Sequence, residues 1–264
     1  MKLLAFTIVL DGMPWIPLHL PMLNRVSADW EWHVIEGVAR PVNCTSWCRP
    51  LLPRLSKDGT SQYLDSIAGH PRVKIHRKDE WQGKIEMVNR AASMVRDPDT
   101  ILFEIDADEV WESWQVDSIV GLFSDDRSRN TAFFRCRYFV GQNIVTSGRN
   151  CYGDNPYEWN RVWKVNPGCR FTRHEPPAMG GFTPKPFTKD ETEYAGLVFD
   201  HYAYATEAQV HFKEHFYGYS GAAAQWRRLQ NNTRWPARLR SFLPWVKDDC
   251  LAMPVHRTPN PKRT

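Results

Sequence analysis

Apolar residues run without a break from position 3 to position 10 (LLAFTIVL) and stop at Asp11-Gly12, the pattern of a strand covered on both faces of a parallel sheet. Shorter apolar runs at 32–35, 73–76 and 101–105 predict three further strands, ending at Glu36-Gly37, at a polar loop and at Asp106. Between them, Ile85, Val88, Ala92 and Val95 recur at helical spacing over 84–96, where Asp97-Pro98 ends the pattern. The stretch 60–68 reads as another helix, terminated by Gly69. Strands alternating with helices argue a doubly wound α/β sheet, which binds ligands at the carboxyl ends of its strands. Asp11, Glu36 and Asp106 would then line one crevice.

After about residue 130 the pattern shifts to strand-like runs at 131–140, 159–165 and 195–202, separated by Gly, Pro and Asn loops. This half is expected to be irregular and partly antiparallel. Thr206 and Gln209 have the spacing of a capping box that opens a helix over 207–217. The expected organisation is one domain over 1–230, in two halves, 1–112 and 113–230. A helical, basic, Pro- and Trp-rich tail over 231–264 would follow it.

Lys and Arg number 34 against 30 Asp and Glu, and a net charge of +4 admits an anionic ligand such as a nucleotide but falls short of a nucleic-acid footprint. Thirteen per cent aromatic content with twelve Trp suits stacking surfaces for sugars or bases. The opening MKLLAFTIVL is cut off by Asp11 with no small-residue cleavage site, so it reads as a buried strand and the expected location is the cytoplasm. The six cysteines, at 44, 48, 136, 151, 169 and 250, lack the dense pairing of a disulfide scaffold. Cys44 and Cys48 have no second Cys/His pair nearby, which favours loop thiols over a zinc site.

The sharpest chemical signal is Glu104-Ile105-Asp106-Ala107-Asp108-Glu109-Val110-Trp111, directly after an apolar strand. Two carboxylates one residue apart at a strand end can offer hard oxygen ligands to Mg²⁺ or Mn²⁺, which neutralises a diphosphate. An Asp-X-Asp triplet alone is equally a solvated acidic turn, and its place behind a buried strand gives it weight.

Here the chain resembles glycosyltransferase family 2, of GT-A fold, and bacterial and viral members similar to lipopolysaccharide-core glycosyltransferases in particular. The resemblance rests on Trp81, Asn89-Arg90-Ala91 and 101–109, then Asn160-Arg161-Val162-Trp163-Lys164 with Gly168, Arg170-Phe171 and His174-Glu175, then Phe199-Asp200-His201-Tyr202-Ala203-Tyr204. The chain departs from the family pattern at Asp11-Gly12-Met13-Pro14, at Glu36 where Asp is usual, and at Gly83-Lys84.

The resemblance implies a nucleotide-diphosphate sugar as donor, a glycan or glycoconjugate as acceptor, and Mn²⁺ or Mg²⁺ as cofactor. Asp11 and Glu36 would bind the base and ribose, Asp106 the ribose or the metal, and Asp108 the metal itself. Lys84 or Arg161 would neutralise phosphate charge. His201, at the end of the apolar run 197–199, would complete the metal site. Glu175 beside His174 is the first candidate for the base that takes the acceptor proton, and Glu109 the second. Trp111, Trp114, Tyr157 and Trp159 stand near these motifs, one or two of them as sugar-stacking surfaces.

The stretch 235–246 sets Arg against Trp, Phe and Leu, as does a segment in peripheral contact with an anionic membrane, although two prolines and its short length favour packing on the domain. Rival readings are a nucleotidyltransferase, which should carry a Gly-rich, Arg-containing loop where this chain has DGMPWIPLH, and a non-catalytic sugar- or nucleotide-binding module.

Overall fold

The computed structural model describes residues 1–41, 49–147, 159–243, 246 and 249–255. In chain order the first half contains β1 (Leu3–Val9), α1 (His19–Leu23), β2 (Trp30–Ala39), α2 (Thr60–Ile67), β3 (Val73–Trp81), α3 (Lys84–Ala92), β4 (Thr100–Glu104), β5 (Glu109–Val110) and α4 (Ser113–Asp125). The second half contains β6 (Thr131–Phe133), β7 (Cys136–Gly141), β8 (Ile144–Ser147), β9 (Asn160–Val165), β10 (Phe171–His174), β11 (Pro177–Met179), β12 (Pro186–Phe187), α5 (Lys189–Tyr194), β13 (Phe199–His201), α6 (Glu207–Tyr217), α7 (Ala222–Gln230), β14 (Ala237–Arg238) and β15 (Leu251–Pro254).

Among the described residues the main sheet has the order β12-β6-β9-β4-β1-β2-β3. β4, β1, β2 and β3 run parallel, whereas β9 lies antiparallel to both β4 and β6. This is the mixed, doubly wound α/β arrangement expected from the sequence. The unbroken apolar run of β1 has its reason in the packing. Leu3 and Ala5 enter the core on one face with Val116, Ile119 and Phe123 of α4, while Leu4 and Phe6 enter the other with Met87, Val88 and Ala91 of α3. A strand with helices on both faces has no polar side to show.

A second sheet, β14-β15-β8-β7-β13-β5, stands beside the first. Its β13 pairs antiparallel with β5, opposing His201 to Glu109 and Asp200 to Val110. That pairing carries the second half of the chain to the acidic turn after β4.

Several expectations change in extent. β2 is longer than its apolar core, so Glu36 lies within the strand and not at its end. A register shift follows Glu36, and Gly37 adopts φ +136°, where a Cβ would stand 1.8 Å from the Lys78 carbonyl oxygen. α3 stops at Ala92, and 195–198 is turn and irregular chain rather than strand. The tail, expected to be helical, instead contributes strands β14 and β15 and a single 3-10 turn at Leu239–Ser241, with β15 pairing to β8. Leu239, Leu243 and Val246 are buried in the main core. Apolar side chains spent on packing are not offered to a membrane, and no described helix is long and apolar enough to cross one. Cys136, Cys169 and Cys250 form no disulfide, and Cys44, Cys48 and Cys151 lie outside the described residues.

Candidate active site

A cleft of about 1090 Å³ opens at the carboxyl ends of β1 and β4, the position that the strand pattern indicates for a ligand. Asp11, Lys84, Asp106, Asp108, Arg161, Glu175 and His201 all line it, and Glu36 and Glu109 do not.

Asp108 is held from two sides. Its Oδ1 lies 3.5 Å from His201 Nε2, delivered by β13, and its Oδ2 accepts a hydrogen bond of 3.4 Å from Gln209 Nε2. Burial pushes the Asp108 carboxyl upward in pKa, but the His201 imidazole and the Lys213 ammonium outweigh it and hold the group well below the usual carboxylate range. Gln209 is also the N3 residue of the capping box on α6, accepting from the Thr206 N–H at 3.0 Å. One side chain thus ends a helix and braces a carboxylate. Ligand-binding atoms of Asp106, Glu109 and His201 come within 4.8 Å of one another, and His201 Nδ1 is buried with no partner among the described residues.

Arg161 is sunk beneath the acidic turn. Its Nη2 stands 2.8 Å from Asp106 Oδ2, and its Nε donates to Glu109 Oε1 at 2.8 Å. Glu109 also accepts from the Trp111 indole at 3.4 Å and from the Asp106 N–H at 3.3 Å, and it is fully buried. Burial raises its pKa to about 7 against the pull of Arg161. Sealed under Arg161, Glu109 faces away from any substrate in the cleft.

Glu175 faces the cleft from the turn between β10 and β11, in an ion pair with Lys84 at the start of α3. Burial pushes its pKa up, yet the Lys84 ammonium and neighbouring His174 hold it below its ordinary value. His174 itself bonds Glu104 at 2.7 Å through Nε2. Asn89 on α3 locks the strand that carries them: its amide donates to the Phe171 carbonyl at 2.9 Å and accepts from the Phe171 N–H at 2.8 Å. An Asn at that helix position therefore has a backbone to clamp.

Asp11 sits at φ +57° just past β1, where Arg54 grips both of its oxygens and the Lys57 N–H donates at 2.8 Å. Glu36 is fully buried and meets Arg77 at 2.7 Å, the Ser56 N–H and the Ser61 hydroxyl. It braces the 56–61 loop, whose Lys57 and Asp58 line the cleft. Of the aromatic candidates, Trp159 lines the cleft, Trp111 is buried in a stack on Phe199, Trp114 is exposed elsewhere, and Tyr157 lies outside the described residues.

Among the cleft-lining residues that the sequence did not mark as site residues are Gln209 and Lys213. The signal was available: 209, 212, 213, 216 and 217 form a stripe at i, i+3, i+4, i+7 and i+8 on α6, and that whole stripe faces the cleft.

Beneath the site, His19 is buried, with Nε2 donating to the Glu109 carbonyl at 3.1 Å and its pKa lowered by burial to about 4. Because the folded pKa lies below the unfolded value near 6.5, the unfolded chain binds a proton that the folded chain refuses between those limits. Stability is then full above about pH 6.5 and falls as pH drops toward 4, by up to about 1.4 kcal/mol per pH unit for one imidazole. His76, lowered to about 4 chiefly by burial, adds to the trend. Urea midpoints at pH 7, 6 and 5 should therefore fall less steeply in His19→Gln than in the wild type. Parallel declines would contradict this.

Residues 55–184 match the family model described as glycosyl transferase family 2. No curated protein matches the chain. Among solved structures, S. aureus TarS 1-349 is similar at 10% identity over 62% of this chain and 47% of that one, with a TM-score of 0.41. The same protein in complex with UDP-GlcNAc gives 10% identity, coverages of 62% and 45%, and a TM-score of 0.43. CMP:2-keto-3-deoxy-manno-octonic acid synthetase complexed with CTP gives 11% identity, coverages of 62% and 72%, and a TM-score of 0.36. The chain thus spans less than half the length of TarS 1-349.

Proposed function

We propose, from the premise that residues 55–184 belong to glycosyl transferase family 2, that the protein moves a sugar from a nucleoside-diphosphate sugar to a hydroxyl of a glycan or glycoconjugate in a metal-dependent reaction. The observation that carries this reading is the meeting of Asp106 and Asp108 with His201, from two different sheets, in a cleft that also holds an ionised carboxylate at Glu175.

The donor set fits a divalent cation. Two carboxylates offer hard oxygens, and one imidazole is presented by its Nε2 beside Asp108. Arg161 already fills the inner side of Asp106 and Glu109, so the cleft-facing residues Asp106, Asp108 and His201 are the ones that would hold Mn²⁺ or Mg²⁺. A bound cation would supply Lewis-acid neutralisation of the departing diphosphate. Arg161 keeps Asp106 ionised, His201 and Lys213 keep Asp108 so, and Gln209 helps to aim Asp108. Asp11, fixed by Arg54, is assigned to the nucleoside. Glu36 has a supporting part, holding the loop that borders that end of the cleft.

Glu175 is the group placed to accept the acceptor hydroxyl's proton as attack on the sugar develops. Lys84 holds it in the ionised form such a base needs. Trp159 borders the cleft with only a small part of its ring, and its indole N–H is buried.

The test is a thermal-shift screen of UDP-, GDP-, dTDP- and CMP-sugars with and without Mn²⁺. A ligand that binds only the folded state raises the melting point, by an amount that grows with concentration over Kd. A shift that needs both nucleotide sugar and Mn²⁺ is expected, followed by transfer to a hydroxyl acceptor. Shifts that persist in chelator would point to a non-catalytic binding module, and shifts with nucleoside triphosphates alone to a nucleotidyltransferase.

A further inference from the structure

Besides Lys57, which is exposed on its loop, three Lys and Arg side chains reach the cleft: Lys84, Arg161 and Lys213. Two of them are committed. Arg161 is bonded to Asp106 and Glu109, and Lys84 to Glu175. Lys213 differs. Its half-buried ammonium has no carboxylate in contact among the described residues, and it rests 4.9 Å over the Tyr204 ring and 6.0 Å from that of Tyr217.

An ammonium withdrawn from water without an anion is costly to keep charged. Burial lowers its pKa accordingly, with nearby Asp108 opposing the shift and Lys84 reinforcing it. Lys213 lines the same cleft as Asp108, Lys84 and Glu175. One turn earlier on the same face of α6, Gln209 holds the Asp108 carboxylate. The helix therefore presents, in consecutive turns, a brace for the proposed metal ligand and a cation with no carboxylate partner among the described residues.

We propose that Lys213 binds the diphosphate of the donor and sets the preference of this cleft for nucleoside diphosphates over monophosphates. This rests on the glycosyltransferase reading above. A diphosphate oxygen in the field of Asp108 is the anion that this ammonium lacks, and a monophosphate carries one phosphate fewer to reach it. Phe212, Phe216 and Tyr217, on the same stripe, give this side of the cleft an apolar lining in which a charge–charge contact is stronger than in water.

Calorimetry with Mn²⁺ on the full chain tests it, titrating UDP, GDP, dTDP and CDP, each beside its monophosphate, into wild type, Lys213→Met and Lys213→Arg. Loss of one hydrogen bond to a charged group predicts that Lys213→Met weakens diphosphate binding about tenfold or more, with monophosphate affinity changed by less than about twofold. Lys213→Arg, which keeps the charge, should bind diphosphate within about threefold of wild type. A diphosphate that binds wild type and Lys213→Met equally overturns the assignment of Lys213 alone, as does an equal loss for diphosphate and monophosphate. A wild-type protein that binds none of the four diphosphates overturns the glycosyltransferase reading and this one with it.

Discussion

Asp108→Asn is expected to abolish metal-dependent nucleotide binding while leaving the fold in place. The residue is at the cleft rim with about a fifth of its side chain exposed, and no core cluster includes it, so its loss opens no cavity. What it loses is charge. In the wild type, His201 and Lys213 hold the carboxylate ionised. An amide keeps the shape and the hydrogen bond from Gln209 but offers a cation a neutral oxygen in place of an anionic one. Calorimetry with UDP or GDP and Mn²⁺ should show no binding up to concentrations about a hundredfold above the wild-type Kd, which corresponds to more than about 2.7 kcal/mol. The protein should still melt cooperatively without ligand, at a temperature lowered by the loss of a carboxylate that His201 and Lys213 stabilise in the folded state. Unchanged nucleotide affinity in Asp108→Asn would remove this residue from the metal site.

Glu175→Gln should lower turnover by about 10²–10⁴ while leaving donor binding within about twofold, the signature of a lost general base. Glutamine fills the same volume and can still accept a hydrogen bond from Lys84, but it cannot take a proton. The contrast with Glu109 sharpens the prediction. Glu109 has the raised pKa of about 7 often associated with proton transfer, yet it lies sealed beneath Arg161 and Trp111 and cannot meet an acceptor. Geometry decides before pKa does. Single-turnover kinetics with a hydroxyl acceptor separate the chemical step from release. Near-normal turnover in Glu175→Gln, or a product that retains the donor's configuration, would exclude Glu175 as the base.

Much of the first half was legible in the chain alone. β1 and β4 could be read because strands buried on both faces must be apolar at every position, and no other short element has that requirement. The α6 boundaries were equally plain, since Thr206 and Gln209 satisfy the helix's first orphan N–H groups locally and Gly218 takes the left-handed conformation at its end. The acidic turn after β4 was legible for the same local reason: a strand ends and its ligands follow at once.

The tail strands were not legible. β14 and β15 are short, and their pattern has no meaning until β8 stands beside them. Nor was the fate of Glu36, whose carboxylate became a brace once Arg77 arrived on the neighbouring strand. The sequence by itself determined the sheet, the capped helices and the place of the acidic turn, because those rest on contacts within a few residues or on burial that marks every position. Only the tertiary structure decided that His201 meets Asp108, that Arg161 seals Glu109 and that Lys213 has no carboxylate in contact among the described residues. These contacts join residues far apart in the chain through the pairing of β13 with β5 and the seating of α6 over the cleft, and long-range pairing leaves no local pattern to read.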